Sequence, residues 1–340
     1  MSEALHRNLS AHVEPMRAWL SVAPGLPGLE LRQASQPVVG PGSALVQVEA
    51  AALNFSDLLM IDDGYQVRPP RPFVPGQEIA GTVVSAADDS VLAVGDRVAS
   101  KVVWGGFAEY AAVRDDMAIR IPAGMSACEA AALPVVYTTA LVAMSESTTI
   151  SDGETVLVLA AGGGVGLASV QVAKHLGARV IAAAGATEKC ALARAHGADH
   201  TVDYQAKDWT ERVQAVTGGR GVDVIVDPVG GEITQQALRL LDWGGRLLIV
   251  GFSSGEIPQI PANRLLLRRA SAIGVYWNHD RDGPISRRIA QRVLELCAAG
   301  VIRPFVGATY RFEDLPRALA ALRERETTGK TVLTIAPEAK

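Results

Sequence analysis

The rhythm of hydrophobic and polar positions changes near residue 150. From Met16 to about residue 120, short alternating or β-branched runs at 44–48, 79–84, 97–103 and 108–113 are separated by Gly, Pro and Asp. A period of two, punctuated by turn residues, predicts the strands of a β-rich domain. Beyond residue 150 the order becomes apolar strand, glycine turn, helical period and strand again. Strands are predicted at 155–160, 179–184, 200–202, 222–227 and 246–250, with helices at 165–176 and 232–241. Apolar strands alternating with helices imply an α/β fold, a doubly wound parallel sheet covered on both faces. Gly177 suits a left-handed position closing the first helix, and Gly244 and Gly245 follow the second. A helix over 285–299 and a strand over 331–335 end the pattern, and periodicity leaves open which domain they join.

The strand at 155–160 runs directly into Ala161-Gly162-Gly163-Gly164-Val165-Gly166, where a helix opens. Glycines permit a tight turn and let the backbone approach a pyrophosphate, whose charge meets free N–H groups at the helix N-terminus. The pattern Ala161-x-Gly163-x-x-Gly166 is the dinucleotide fingerprint with alanine in place of its first glycine. Strand, turn, helix and second strand within a unit of roughly 30 residues make a dinucleotide the expected ligand. The second strand ends Ala182-Ala183-Ala184-Gly185-Ala186, without the carboxylate that would hold a ribose 2′-hydroxyl. A small, neutral strand end leaves room for a 2′-phosphate, and Lys189 supplies a positive charge, so NADPH is the expected cofactor. In the alternative, Lys189 is an exposed helix lysine and Glu188 takes the acidic role.

With 340 residues the chain exceeds what one core usually serves, which implies two domains and a cleft between them. A net charge of -4 gives no basis for binding nucleic acid or an anionic membrane surface. No stretch approaches the ~20 apolar residues of a membrane span, and the first residues lack a signal peptide's apolar segment. A cytoplasmic location and small-molecule partners are the expectation. Residues 1–15 are polar and without period, as in a flexible extension. Cys128, Cys190 and Cys297 are far apart and lack metal-ligand spacing, so they read as buried structural thiols. The arginine groups at 264, 268, 269 and at 287, 288, 292 read as solvated helix faces.

Further motifs are Asn54-Phe55-Ser56-Asp57 with Gly64-Tyr65, Val74-Pro75-Gly76-Gln77-Glu78, Gly95-Asp96-Arg97-Val98 and Gly105-Gly106-Phe107-Ala108-Glu109-Tyr110. Leu133-Pro134 with Thr139-Ala140, Asp227-Pro228-Val229-Gly230-Gly231 and Asn263-Arg264-Leu265-Leu266-Leu267 before Gly274-Val275-Tyr276-Trp277 complete the set. With the glycine turn, these resemble the medium-chain dehydrogenase/reductase superfamily, in its zinc-free quinone oxidoreductase branch that includes zeta-crystallin. The resemblance covers everything after Met16. It implies a GroES-like substrate domain from residues 16–140 and 280–340, with a Rossmann NADPH-binding domain from 141–279. It further implies a homodimer formed through edge strands, here residues 271–275.

Where zinc-dependent relatives carry a catalytic cysteine this chain has Asn54, and where they carry Gly-His-Glu it has Gly76-Gln77-Glu78. Without thiolate and imidazole ligands a catalytic zinc is not held. The resemblance places Asn54, Tyr65 and Thr139 beside the nicotinamide and substrate. Gly162, Gly163, Gly164, Val165, Gly166, Gly185, Lys189, Tyr204, Gly230, Gly251, Phe252 and Ser253 are then the expected cofactor contacts. Lacking a metal, such a site suits acceptors whose conjugation spreads the charge that hydride delivers, such as quinones and enones. Reduction of an enoyl-thioester, which a long basic groove would favour, or of an alkenal is the alternative. A non-catalytic NADPH-binding role is the alternative of a different class.

Overall fold

A computed structural model of the chain describes residues 15–335. The extension expected over 1–15 therefore lies outside the described residues, apart from Pro15. The chain opens with the antiparallel pair β1 (Pro15–Ser21) and β2 (Leu29–Ser35), then continues through β3 (Ser43–Ala52), α1 (Phe55–Ile61), β4 (Glu78–Ala86), β5 (Arg97–Lys101), β6 (Tyr110–Arg114) and β7 (Ala118–Arg120). Helices α2 (Ala127–Ala131) and α3 (Pro134–Leu141) lead through a π-helical turn, Val142–Glu146, into the second half.

That half alternates strictly. Its elements are β8 (Thr155–Val158), α4 (Gly164–His175), β9 (Arg179–Ala184), α5 (Thr187–Ala195), β10 (His200–Asp203), α6 (Trp209–Val216), β11 (Val222–Asp227), α7 (Gly231–Ala237), β12 (Leu241–Ile249), α8 (Ala262–Arg268) and β13 (Ser271–Gly274). The chain closes with α9 (Gly283–Ala298), β14 (Val306–Arg311), α10 (Leu315–Arg323) and β15 (Lys330–Thr334). The six parallel strands run β10-β9-β8-β11-β12-β13, so the order reverses direction between β8 and β11. In such sheets a ligand lies outside the carboxyl ends of the strands at that reversal.

Burial explains why the central strands of this sheet are largely apolar. Val156 and Val158 of β8 enter one core with Val180, Ala182, Val224 and Val226, while Leu157 and Leu159 enter a second core with Ile181, Ala183 and Ile225. Successive side chains point to opposite faces, and helices cover both. Helix α9 packs into the first core through Ile289, Val293 and Leu296. The strands that follow it instead join the mixed sheet β14-β15-β3-β4-β5-β7, in which β6 also pairs with β3. The tail is thus divided, its helix against the parallel sheet and its strands in the other.

Two expectations about elements are corrected. The helix expected to reach residue 241 stops at Ala237; a 3-10 turn, Leu238–Leu240, follows, and Leu241 already pairs with Val222 as β12. Gly244, at φ 74, and Gly245 lie within that strand, where Leu241↔Val222 is followed by Arg246↔Val224. The glycines serve a strand irregularity, not a helix end. The strand expected over 155–160 ends at Val158, because Ala160 at φ 48 already begins the turn. Gly177 is left-handed as expected, at φ 86. No helix of the described residues is long and apolar enough to cross a membrane.

Candidate functional site

The glycine turn stands at the carboxyl end of β8. Gly163 caps α4 in an extended conformation and its N–H bonds the Ala160 carbonyl at 2.9 Å. The next N–H groups open the helix and have no acceptor within it, which makes the turn an anion site. A Cβ on Gly166 would stand 2.2 Å from the Ala160 carbonyl oxygen, and one on Gly162 would stand 2.5 Å from Cβ of Lys189. A Cβ on Gly163 meets nothing closer than 3.4 Å. Gly166 and Gly162 therefore serve close packing, and the Gly163 side of the turn is left open. Such a cradle fits a dinucleotide pyrophosphate.

The ends of the neighbouring strands complete this edge. Gly185 follows β9 and lies against the ring of Tyr204, whose N–H bonds the Ala184 carbonyl at 3.0 Å. Lys189, in the first turn of α5, is half-buried beside Gly162 and donates to the Arg325 carbonyl at 2.7 Å, whereas Glu188 is exposed. The Arg325 guanidinium lies within 3.4 Å of the Ser253 and Ser254 carbonyls. Burial and then the Arg325 charge hold the Lys189 ammonium below the usual lysine range. Burial raises the Tyr204 phenol, while Arg325 opposes it. Among the described residues neither Lys189 nor Arg325 has an ion-pair partner. Two cations converging without a carboxylate suit a phosphate group.

After β11, Asp227 accepts from the N–H groups of Val229 (2.8 Å) and Gly230 (3.1 Å) and from the Thr234 hydroxyl. Gly230 is left-handed, at φ 78, and a Cβ there would stand 2.6 Å from the Glu256 carbonyl oxygen. Gly251-Phe252-Ser253 follow β12, with the Ser253 N–H on the Pro228 carbonyl at 3.0 Å. Every expected cofactor residue thus stands at the carboxyl edge of the parallel sheet or in the strand-to-helix turns beside it.

The expected substrate residues come from the mixed sheet and α3. Asn54 caps α1 and is buried, and its backbone N–H bonds Asp57 Oδ2 at 2.8 Å. Its amide Nδ2 donates to Glu78 Oε2 (3.1 Å) and the Ala52 carbonyl (3.4 Å), and its Oδ1 accepts from Lys330 Nζ at 2.7 Å. Lys330 also donates to Glu78 Oε2 and to the Leu53 carbonyl, each at 2.8 Å, while Glu78 Oε1 receives the Val135 N–H of α3 at 2.7 Å. The Asn54 side chain is fully engaged. Gln77 accepts from the Ser56 hydroxyl, and burial raises the Tyr65 phenol, opposed by the neighbouring Gln77 side chain. Thr139 Oγ1 accepts from Trp277 Nε1 at 3.1 Å.

One lysine joins the two groups of residues. The Gly329 N–H donates to the Gly162 carbonyl at 2.8 Å, and the Lys330 stem packs so close to the turn that a Cβ on Gly164 would stand 2.8 Å from its Cδ. Lys330, Arg325, Asp57 and Glu78 were not among the sequence-derived candidates. A lysine opening the β-branched terminal strand Lys330–Thr334 was the available signal for the first. Burial pushes the Asp57 carboxyl up to about 7, against the opposing influence of the Asn54 N–H and Lys330. Among the described residues no group of three or more His, Cys, Asp or Glu is arranged to hold a metal. Burial pushes the Cys297 thiol to about 11 and raises Cys128 and Cys190, which keeps all three protonated near neutrality.

Residues 164–299 match the zinc-binding dehydrogenase family and residues 40–123 the alcohol dehydrogenase GroES-like domain family. Quinone oxidoreductase-like protein 2 of Rattus norvegicus is 38% identical over 311 residues, covering 90% of this chain and 89% of that protein. The fold is similar to mycobacterial Rv1454c, solved in complex with NADPH, at a TM-score of 0.88 and 31% identity over 94% of this chain and 99% of that one. It is also similar to the quinone oxidoreductase of Thermus thermophilus, solved alone and with NADPH, at a TM-score of 0.79 and 35% identity over 94% of this chain and 100% of that one. The dinucleotide cradle, the GroES-like and parallel-sheet halves, and these similarities together place the chain in the medium-chain dehydrogenase/reductase superfamily of oxidoreductases, within its quinone oxidoreductase-like branch.

Proposed function

We propose that this protein reduces a quinone or related conjugated carbonyl with NADPH and without a metal. The observation that carries this reading is the state of the two metal-ligand positions. Asn54 is taken up by Lys330, Glu78 and Ala52, and Gln77 accepts from Ser56, so neither position offers a thiolate or imidazole. NADPH, when bound, supplies the hydride. The chain holds the pyrophosphate on the turn at Gly163 and the 2′-phosphate between Lys189 and Arg325. Thr139, fixed by Trp277, and Tyr65, beside Gln77, line the approach of the acceptor. An acceptor with conjugation spreads the incoming charge, which replaces what a Lewis acid would do.

Four of the six arginines at 264–269 and 287–292 are engaged elsewhere in the fold. Arg264 and Arg268 bond the Gln235 and Leu241 carbonyls, while Arg288 pairs with Glu146 and Arg292 with His175 and Glu295. This favours a compact acceptor over one with a long anionic tail. NADPH oxidation measured against quinones, 2-enals, enoyl-thioesters and simple ketones tests the reading. Turnover of the first two with marginal ketone reduction is expected; efficient NADP-linked oxidation of simple alcohols, or NADPH binding without any turnover, overturns it. Stoichiometric zinc in chelator-washed active protein would overturn the metal-free part. We further propose a homodimer built through the free edge of β13.

A further inference from the structure

A cation from the mixed sheet meets the carboxyl edge of the parallel sheet at a place that the hydride-transfer reading leaves unused. β13 ends at Gly274, and the chain continues past that edge through Tyr276 and Trp277. Trp277 is tied to α3 by its bond to Thr139. The Lys101 ammonium lies 4.8 Å from the centroid of the Trp277 ring, and the His279 ring meets the same indole edge-on, centroids 5.3 Å apart. Lys101 ends β5 directly opposite Glu78 of β4 in antiparallel register. Cross-strand partners share a face, so Lys101 rises on the side where Glu78 holds Asn54 and Lys330.

This ammonium has no anion of its own. Among the described residues no ion pair or side-chain hydrogen bond of Lys101 is formed, and the surrounding carboxylates have other partners. Glu78 is shared by Lys330, Asn54 and the Val135 N–H, while Asp280 and Asp116 both bind Arg114. Burial, then Lys101 itself, pushes His279 down to about 4, so its ring is neutral near pH 7. Burial also lowers the Lys101 ammonium, opposed by Asp280 and Glu78. A desolvated ammonium on an indole face, with vacant N–H donors, is poised to meet an oxygen on which charge develops.

We propose that Lys101 is a catalytic acid of the reduction, hydrogen-bonding the acceptor's carbonyl oxygen and giving it a proton as charge arrives there. This rests on the proposed function. Hydride bonds to the terminal carbon of the conjugated system, the C=C pair shifts one bond along, and the C=O π pair moves to oxygen. An N–H bond of Lys101 breaks with its electron pair left on nitrogen, the proton passes to that oxygen, and the amine regains a proton from water. In sum, NADPH, acceptor and one proton give NADP⁺ and the dihydro product.

Two measurements decide it. In the first, 4-nitrophenol is titrated into the protein with NADP⁺, and its visible absorbance reports ionisation without turnover. Its oxygen should ionise roughly one to three pH units lower when bound to the parent or to Lys101→Arg, and not in Lys101→Met. Equal ionisation in Lys101→Met and parent, or no saturable binding to the parent, overturns the proposal. In the second, NADPH oxidation by a 1,4-benzoquinone or enone should fall roughly 10²- to 10⁴-fold in kcat for Lys101→Met, with its Tm and NADPH Kd unchanged. The alkaline limb of the parent kcat profile should vanish with the lysine; an unchanged limb overturns the proposal. Absence of quinone and enone turnover in the parent would defeat the proposed function, while the phenol titration still decides Lys101.

Discussion

At the scale of single residues, the two cations near Tyr204 and the glycines of the turn make separable predictions. Lys189→Ala or Arg325→Ala should weaken NADPH roughly 10- to 100-fold, as expected for a charged hydrogen bond worth about 1.5–3 kcal/mol, and leave NADH nearly unchanged. Fluorescence titration with both nucleotides checks this; equal losses would remove the 2′-phosphate assignment. The turn glycines should divide by what their Cβ would meet. Gly166→Val pushes a side chain into the Ala160 carbonyl and should lower Tm as well as abolish NADPH binding, whereas Gly163→Ala, with nothing inside 3.4 Å, should keep Tm and weaken NADPH. Asp57 supplies a pH signature. Its folded pKa is raised from 3.8 to about 7, so the stability it contributes is full below about 3.8 and is lost as pH rises through 7. The non-titrating Asp57→Asn protein should therefore gain Tm relative to the parent between pH 5 and pH 8, and parallel melts at those two values measure it.

At the scale of elements, β15 does two things at once. Its backbone completes the mixed sheet between β14 and β3, and its first side chain runs past the glycine turn into the Asn54 and Glu78 pair. Lys330 and Glu78 are 5% and 0% exposed, so removing one leaves a buried charge without its partner. Lys330→Met should cost about 3–5 kcal/mol, measured by urea unfolding, and Glu78→Gln in the same chain should recover part of it. No recovery in the double variant would mean that packing against Gly164, not charge, is what the lysine contributes. Helices α3 and α9 show the same economy. The N–H of Val135 at the start of α3 binds Glu78, while α3 and α9 fill one face of the parallel sheet, so a helix of that core also anchors the mixed sheet.

At the scale of the whole molecule, β13 is an outer strand paired, among the described residues, only with β12, and Leu266 and Leu267 of the adjoining α8 are 79% and 73% exposed. An open strand edge beside apolar side chains is a surface that proteins usually cover. Sedimentation should show a dimer that Leu266→Glu with Leu267→Glu converts to monomer while NADPH still binds. A parent monomer at micromolar concentration would sink the edge assignment.

The sequence by itself determined the parallel sheet, the turn at Gly163 and the neutral end of β9, because each rests on local rules: burial on both faces makes strands largely apolar, and a phosphate turn needs glycine before a helix. Set beside the motifs around them, Asn54 and Gln77 stand where the resemblance implies metal ligands in zinc-dependent relatives. The sequence misplaced the end of α7, since the helical pattern of 232–241 continues through residues that pairing with β11 draws into β12. What only the tertiary structure decided is which distant residues share the site. Lys330 reaches Asn54 across 276 positions, Trp277 reaches Thr139 across 138, and Arg325 meets Lys189 across 136. Such contacts leave no period or motif in the chain, because they arise where strand ends from two sheets converge and long polar side chains must find partners once burial removes water.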